Sequence, residues 1–154
     1  MSVRRRGFVL QSGLFFRLLQ ATLILLIGLT AGASAEAQAP AIKIELNGAE
    51  ANAKACRLSF VITNDQPATI DDMALELVLF DKTGRVDRFV VVRTAKIPAG
   101  KNRVRQFDIP ETGCGDIGRV LLNDIKDCKG DGFTPAVCAD RISASTRADI
   151  GFDN

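Results

Sequence analysis

Two hydrophobic patterns divide this 154-residue chain. Near the N-terminus one dense apolar run, residues 18–29 (LLQATLILLIGL), follows the cations Arg4, Arg5 and Arg6. Beyond residue 40 the apolar positions come instead in short runs broken by Gly, Pro, Asn and Asp. Residues 56–63 alternate strictly, with Cys56, Leu58, Phe60 and Ile62 on one face and Arg57, Ser59, Val61 and Thr63 on the other. Period two with β-branched and aromatic residues predicts a half-buried strand.

The same reading places further strands. Residues 42–46 form a first strand ending at Asn47-Gly48, and residues 73–80 a third with Met73, Leu75, Leu77 and Leu79 facing inward. Asp81-Lys82-Thr83-Gly84 reads as a hairpin turn, with Gly84 supplying positive φ. Residues 86–94 return from it, residues 104–109 and 118–125 follow, and residues 142–150 form a last strand. All five prolines, Pro40, Pro67, Pro98, Pro110 and Pro135, fall between these runs, where no ladder hydrogen bond is lost. The prediction is an all-β fold, an immunoglobulin-like antiparallel β-sandwich of about seven strands after an N-terminal signal helix.

The N-terminal run carries the three parts of a secretory signal: a basic start, an apolar middle and the small residues Ala31-Gly32-Ala33-Ser34-Ala35 before Glu36. Residues 1–35 therefore read as a signal peptide and residues 36–154 as a disulfide-stapled β-sandwich domain. Ala33 and Ala35 give the A-x-A form for cleavage before Glu36, and Ala35-Glu36-Ala37 offers a site two residues later. The run is short for a membrane span, which needs ~20 apolar residues. An uncleaved N-terminal membrane anchor is the alternative. Arg5-Arg6-Gly7-Phe8-Val9 resembles the twin-arginine pattern R-R-x-F-L, so Arg5, Arg6 and Phe8 are its motif residues; three arginines equally suit the general route.

Removing the signal changes the charge. The whole chain is +2, but four of its 20 Lys and Arg leave with residues 1–35 and all 18 Asp and Glu stay, giving −2. That balance gives no support for nucleic-acid binding. The mature segment has no His, Trp or Tyr, which excludes Ser-His-Asp and Cys-His catalysis and leaves poor stacking platforms for sugars or bases. Cys56, Cys114, Cys128 and Cys138 all lie beyond the signal, and an even count in an exported chain reads as two disulfides. No C-x-x-C is present to suggest redox or zinc chemistry. In an immunoglobulin-like sandwich the second and sixth strands lie in opposite sheets and run the same way. Cys56 opens the second and Cys114 precedes the sixth, so these two are expected to pair, and Cys128 with Cys138.

Residues 60–108 resemble exported immunoglobulin-like modules of the FxLYD type. The residues that carry this are Val61-Ile62-Thr63-Asn64, Leu77-Val78-Leu79-Phe80-Asp81, Gly84-Arg85-Val86 and Ile97-Pro98-Ala99-Gly100, with Phe80 where that family has tyrosine. Residues 114–124 (CGDIGRVLLND), with the basic N-terminus, resemble a group of bacterial proteins labelled "Tat pathway signal sequence domain protein". These resemblances speak to fold and export, and neither implies a catalytic residue.

Charge is most uneven over residues 85–105. Arg85, Arg88, Arg93, Lys96, Lys101, Arg103 and Arg105 oppose only Asp87, an excess of +6 against −8 for the rest of the mature chain. Arg103 and Arg105 share a strand face, with the preceding strand expected alongside. Arg85, Arg88, Arg93, Arg103 and Arg105 are thus a candidate face for an anionic partner, against a solvated face whose charges discourage edge pairing. Asn123, Asp124, Asp127 and Asp131 run into a Gly-rich loop but do not follow the EF-hand spacing. Asp71, Asp72, Glu76, Asp124 and Asp127 are carboxylates that a hydrolase could pair, with nothing marking one pair over another.

The expectation is therefore a periplasmic, non-catalytic binding or accessory module of the cell envelope, needing no cofactor and no metal. Its partners would be an envelope protein or an anionic envelope polymer, and the export translocon through the signal. A carboxylate-based periplasmic hydrolase is the alternative. N-terminal sequencing of the exported protein should return Glu36, whereas an intact Met1 would identify an anchor instead.

Overall fold

The computed structural model describes residues 41–154; Arg5, Arg6, Phe8, Ala33 and Ala35, expected to belong to an export signal, lie outside the described residues. Eight strands are formed: β1 (Ile42–Asn52), β2 (Ala55–Asn64), β3 (Asp72–Asp81), β4 (Val86–Arg93), β5 (Lys101–Pro110), β6 (Ile117–Lys129), β7 (Ile142–Thr146) and β8 (Gly151–Asp153). A 3₁₀ turn (Cys114–Asp116) precedes β6, and a one-turn helix α1 (Pro135–Ala139) precedes β7. The strands make two sheets of four, ordered β5-β2-β1-β7 and β4-β3-β6-β8.

The alternation read from the sequence decides what is buried. Leu58, Phe60 and Ile62 of β2 and Met73, Leu75, Leu77 and Leu79 of β3 are at most 1% exposed and belong to one core. Each such side chain contributes about 1.5–3 kcal/mol by leaving water. Phe60 joins the sheets, its ring 5.3 Å from Phe152 of β8 in an edge-on contact and 5.9 Å from Phe107 of β5.

Three expectations need correction. The first strand does not stop at Asn47-Gly48 but shifts register between Leu46 and Gly48 and runs on to Asn52, so that glycine marks a bulge. The predicted last strand, residues 142–150, ends at Thr146 as β7, and the chain turns there to enter the other sheet as β8 beyond the predicted span. Thr146 Oγ1 accepts from the Ala148 N–H at 3.1 Å and donates to the Ile150 carbonyl at 2.9 Å, which turns the chain back on itself. Ile142, Ile150 and Phe152 stay in phase and all are buried, so the corner leaves the alternation intact and invisible. Finally, the sandwich is mixed rather than antiparallel, with β7 parallel to β1 and β8 parallel to β6.

Both disulfides form as expected, Cys56 with Cys114 and Cys128 with Cys138. They close separations of 58 and 10 residues, which on the chain-entropy model contribute about 4 and about 3 kcal/mol. The second holds α1 against β6. This helix starts on Thr134, whose Oγ1 accepts from the Val137 N–H at 3.2 Å, with Pro135 in the first turn. Asn64, fully buried at the end of β2, donates to the carbonyls of Ala68 and Ile97 at 2.9 and 3.1 Å and accepts from the Gln66 N–H at 3.0 Å. One amide thereby ties down two loops.

Gly118 lets β6 approach the β3–β4 turn. A Cβ there would lie 2.5 Å from the Asp81 carbonyl oxygen and 3.1 Å from the Lys82 Cα. Backbone cannot yield as a flexible side chain can, so Gly118→Ala should cost about 1–3 kcal/mol, measured by urea denaturation.

Candidate functional site

The residues with most to offer a partner lie on one side of the sandwich. β4 is the terminal strand of its sheet, β5 the terminal strand of the other, and the loop 94–100 joins them. Among the described residues the exposed large apolar side chains are Val86, Phe89 and Val91 of β4 and Val104 of β5. The opposite edges are β7 and β8, only five and three residues long. Short strands blunt an edge; β4 and β5, eight and ten residues long, do not.

The preceding strand does not lie alongside Arg103 and Arg105 within one sheet, as expected. β4 pairs with β3 and β5 with β2, so the two edge strands confront each other across the gap between the sheets. The burial pattern of each strand places Arg88 of β4 and Arg103 and Arg105 of β5 on the sides that face this gap. Arg105 donates to the carbonyls of Thr94 and, at 3.2 Å, of Lys96, capping the strand connection. Arg88 answers from the other end, donating to the Pro110 carbonyl at 2.9 Å and pairing with Asp87 at 2.6 Å. These two arginines staple the side of the sandwich.

Arg93 lies on the outer face of β4 between two carboxylates, pairing with Asp72 and, at 2.9 Å, with Asp127. Lys129 reaches Asp127 from the other side at 3.1 Å. Arg93 and then Lys129 hold the Asp127 carboxyl below the usual aspartate range. Arg85 sits in the β3–β4 turn, at the far end of β4 from Arg93 and about 26 Å away along extended strand. There Asp81 Oδ1 accepts from the N–H groups of Thr83 and Arg85 at 2.8 and 3.0 Å and from the Thr83 hydroxyl at 2.7 Å, which likewise lowers its pKa. The five arginines thus occupy three places, and only Arg103 and Arg105, with Lys96 and Lys101, gather around one connection.

Their availability differs. Lys96 has Asp71 at 3.6 Å, whereas Lys101 and Arg103 have no carboxylate partner among the described residues. Val104, 60% exposed, stands between Arg103 and Arg105 on the opposite face of β5. Sequence reasoning half-found this edge, where cations without counter-ions lie on one face of β5 and exposed apolar side chains on the outer faces of β5 and β4. The charge excess revealed the cations; the apolar component was missed because Phe89, Val91 and Val104 read as ordinary strand residues.

The acidic candidates are spoken for. Asn123 donates to Glu76 Oε1 at 2.7 Å; Lys126 lies 3.1 Å from Asp124 and 3.6 Å from Glu76. Asp131 is exposed on its loop. Among the described residues no group of three His, Cys, Asp or Glu is placed to hold a metal ion. Asp127, held ionised between two cations, is the reverse of the raised carboxyl that a general acid requires. One concavity of about 420 Å³ is bordered by Lys82, Cys114 and Arg147, and one of about 180 Å³ by Asp81, Asp87, Glu111 and Asp116 with Arg88.

Removing Arg93 should alter the pH dependence of stability. A carboxyl with a lowered folded-state pKa contributes stability above its unfolded pKa and loses it as pH falls through the folded value. Arg93→Ala should therefore lower the urea midpoint at neutral pH, and its deficit should shrink as the pH falls below the usual aspartate range and Asp127 takes up its proton. Comparison with known proteins returned no matching family model, no similar curated protein and no similar solved structure.

Proposed function

We propose that this chain is an exported, non-catalytic binding module of the bacterial envelope, working in the periplasm. The observation that carries the reading is the pair of cations without a carboxylate partner, Lys101 and Arg103, on one face of the edge strand β5 beside the β4–β5 connection. Such a surface suits an anionic partner, either an acidic stretch of an envelope protein or an anionic envelope polymer. Two intramolecular disulfides fit an oxidising, extracytoplasmic compartment, and the N-terminal charge, apolar run and small residues supply a route there. The Arg5-Arg6-Gly7-Phe8 motif supports twin-arginine export within the same reading.

A defined polyanion tests the surface. Lys101→Glu/Arg103→Glu should weaken binding to polyglutamate at least about tenfold at low salt. Lys54→Glu/Lys82→Glu, an equivalent charge change in the β1–β2 and β3–β4 turns, should have far less effect. Equal losses from both would reduce the binding to net charge and end the reading.

A further inference from the structure

The two open edge strands and their connection differ from the rest of the surface in two respects at once. Among the described residues the exposed large apolar side chains are Val86, Phe89, Val91 and Val104, and all four belong to β4 or β5. Residues 85–105 also hold seven cations against the single anion Asp87. The positive side of the sandwich is therefore its apolar side as well.

The cations and the apolar side chains do not share a face. Phe89 and Val91 project from the outer face of one sheet and Val104 from the outer face of the other, while Arg103 and Arg105 turn toward the gap between them. Arg88 on the Pro110 carbonyl and Arg105 on the carbonyls of Thr94 and Lys96 hold the two edges across that gap. Packed sheets lie ~10 Å apart, so the apolar side chains form two shoulders with the cations between them. A flat, rigid partner set against one shoulder misses the other. A polyanion lying along the gap neutralises the cations but leaves both shoulders in water. A lipid–water interface moulds to the whole side: anionic headgroups meet the cations, and the boundary with the acyl chains receives the shoulders.

Polar groups set the depth and tilt of such a contact. The Thr94 N–H donates to the Met73 carbonyl at 2.9 Å, which fixes the parity of the β3–β4 ladder and leaves Val91 and Phe89 with backbone groups directed to the open edge. Hydrocarbon cannot satisfy those groups, whereas water and headgroups can, so the strand stays in the interface. Arg93, beside Val91, is already neutralised by Asp72 and Asp127. At the Val86 end Asp87, Glu111 and Asp116 border one concavity, so an anionic surface meets the end at loop 94–100 first.

We infer that the anionic partner of this side is a membrane surface, on which the protein docks through Lys101 and Arg103 while Phe89, Val91 and Val104 enter the interface. This deepens the anion-binding reading above and rests on it.

The chain contains no tryptophan, so a single introduced one reports its own surroundings. The protein is expressed as the full chain, purified as the cell delivers it and mixed with vesicles of phosphatidylglycerol or of phosphatidylcholine. Val91→Trp and Val104→Trp should each shift their emission to the blue, and be quenched by brominated acyl chains, on phosphatidylglycerol alone. Ser143→Trp, exposed on β7 at the opposite edge, should do neither. In the Val104→Trp background, Lys101→Glu/Arg103→Glu should weaken partition onto phosphatidylglycerol vesicles at least about tenfold. Phe89→Ser/Val91→Ser should also weaken it yet leave polyglutamate binding unchanged, because only the lipid contact uses the shoulders. Polyglutamate binding with no reporter response to vesicles would overturn the lipid inference and leave the anion-binding surface standing; loss of both would remove both. Reporters at positions 91 and 104 that respond equally on the two lipids would overturn it too, since charge would then not select the surface.

Discussion

The structure depends on the inner faces of β2 and β3 excluding water together. They are interior strands of opposite sheets, and their alternating side chains supply the central layer of the core. Everything else is hung on this pair. β5 and β1 pair with β2, β4 and β6 pair with β3, and the chain ends fill the remaining positions. The core does this without tryptophan or tyrosine, through Leu, Ile and Val and through Phe60, whose ring meets Phe152 and Phe107. No buried hydroxyl or indole nitrogen then needs a partner in the central layer.

Crosslinks and polar ties act at the ends of this layer. Cys56–Cys114 joins the start of β2 to the approach to β6, so it restrains the two sheets where a loop would otherwise let them part. Asn64 does the same at the other end of β2, where three hydrogen bonds from one buried amide hold the loops after β2 and before β5. A buried amide is costly unless it is satisfied, and the same satisfaction makes the loop conformation unique.

The charged residues are divided by task. Arg88 and Arg105 satisfy carbonyls where the sheet edges face each other, and Arg93 neutralises two aspartates on the outer face. Three arginines of a run that reads as one basic stripe are therefore structural, leaving Arg85, Lys101 and Arg103 without a carboxylate partner among the described residues. The same geometry leaves β4 open, with apolar side chains and free backbone groups presented together. An edge of this kind is an aggregation hazard unless something covers it.

Strand positions and inner faces were legible in the sequence because each rests on local information, alternation and turn residues, and the disulfide pairing followed from the sandwich topology that those strands implied. Residues 73–79 show this best, since all four positions assigned to the inner face are buried. The sequence by itself determined the all-β class, the buried faces of β2 and β3 and the crosslinks. Only the tertiary structure decided that the chain reverses after Thr146, because an even-phase corner preserves the alternation on both sides of it. It alone decided, too, which arginines are occupied, because a cation's availability depends on carbonyls and carboxylates brought near by the fold. Sheet order is settled by long-range pairing, which no local pattern encodes, and it is sheet order that leaves β4 and β5 as the open edges.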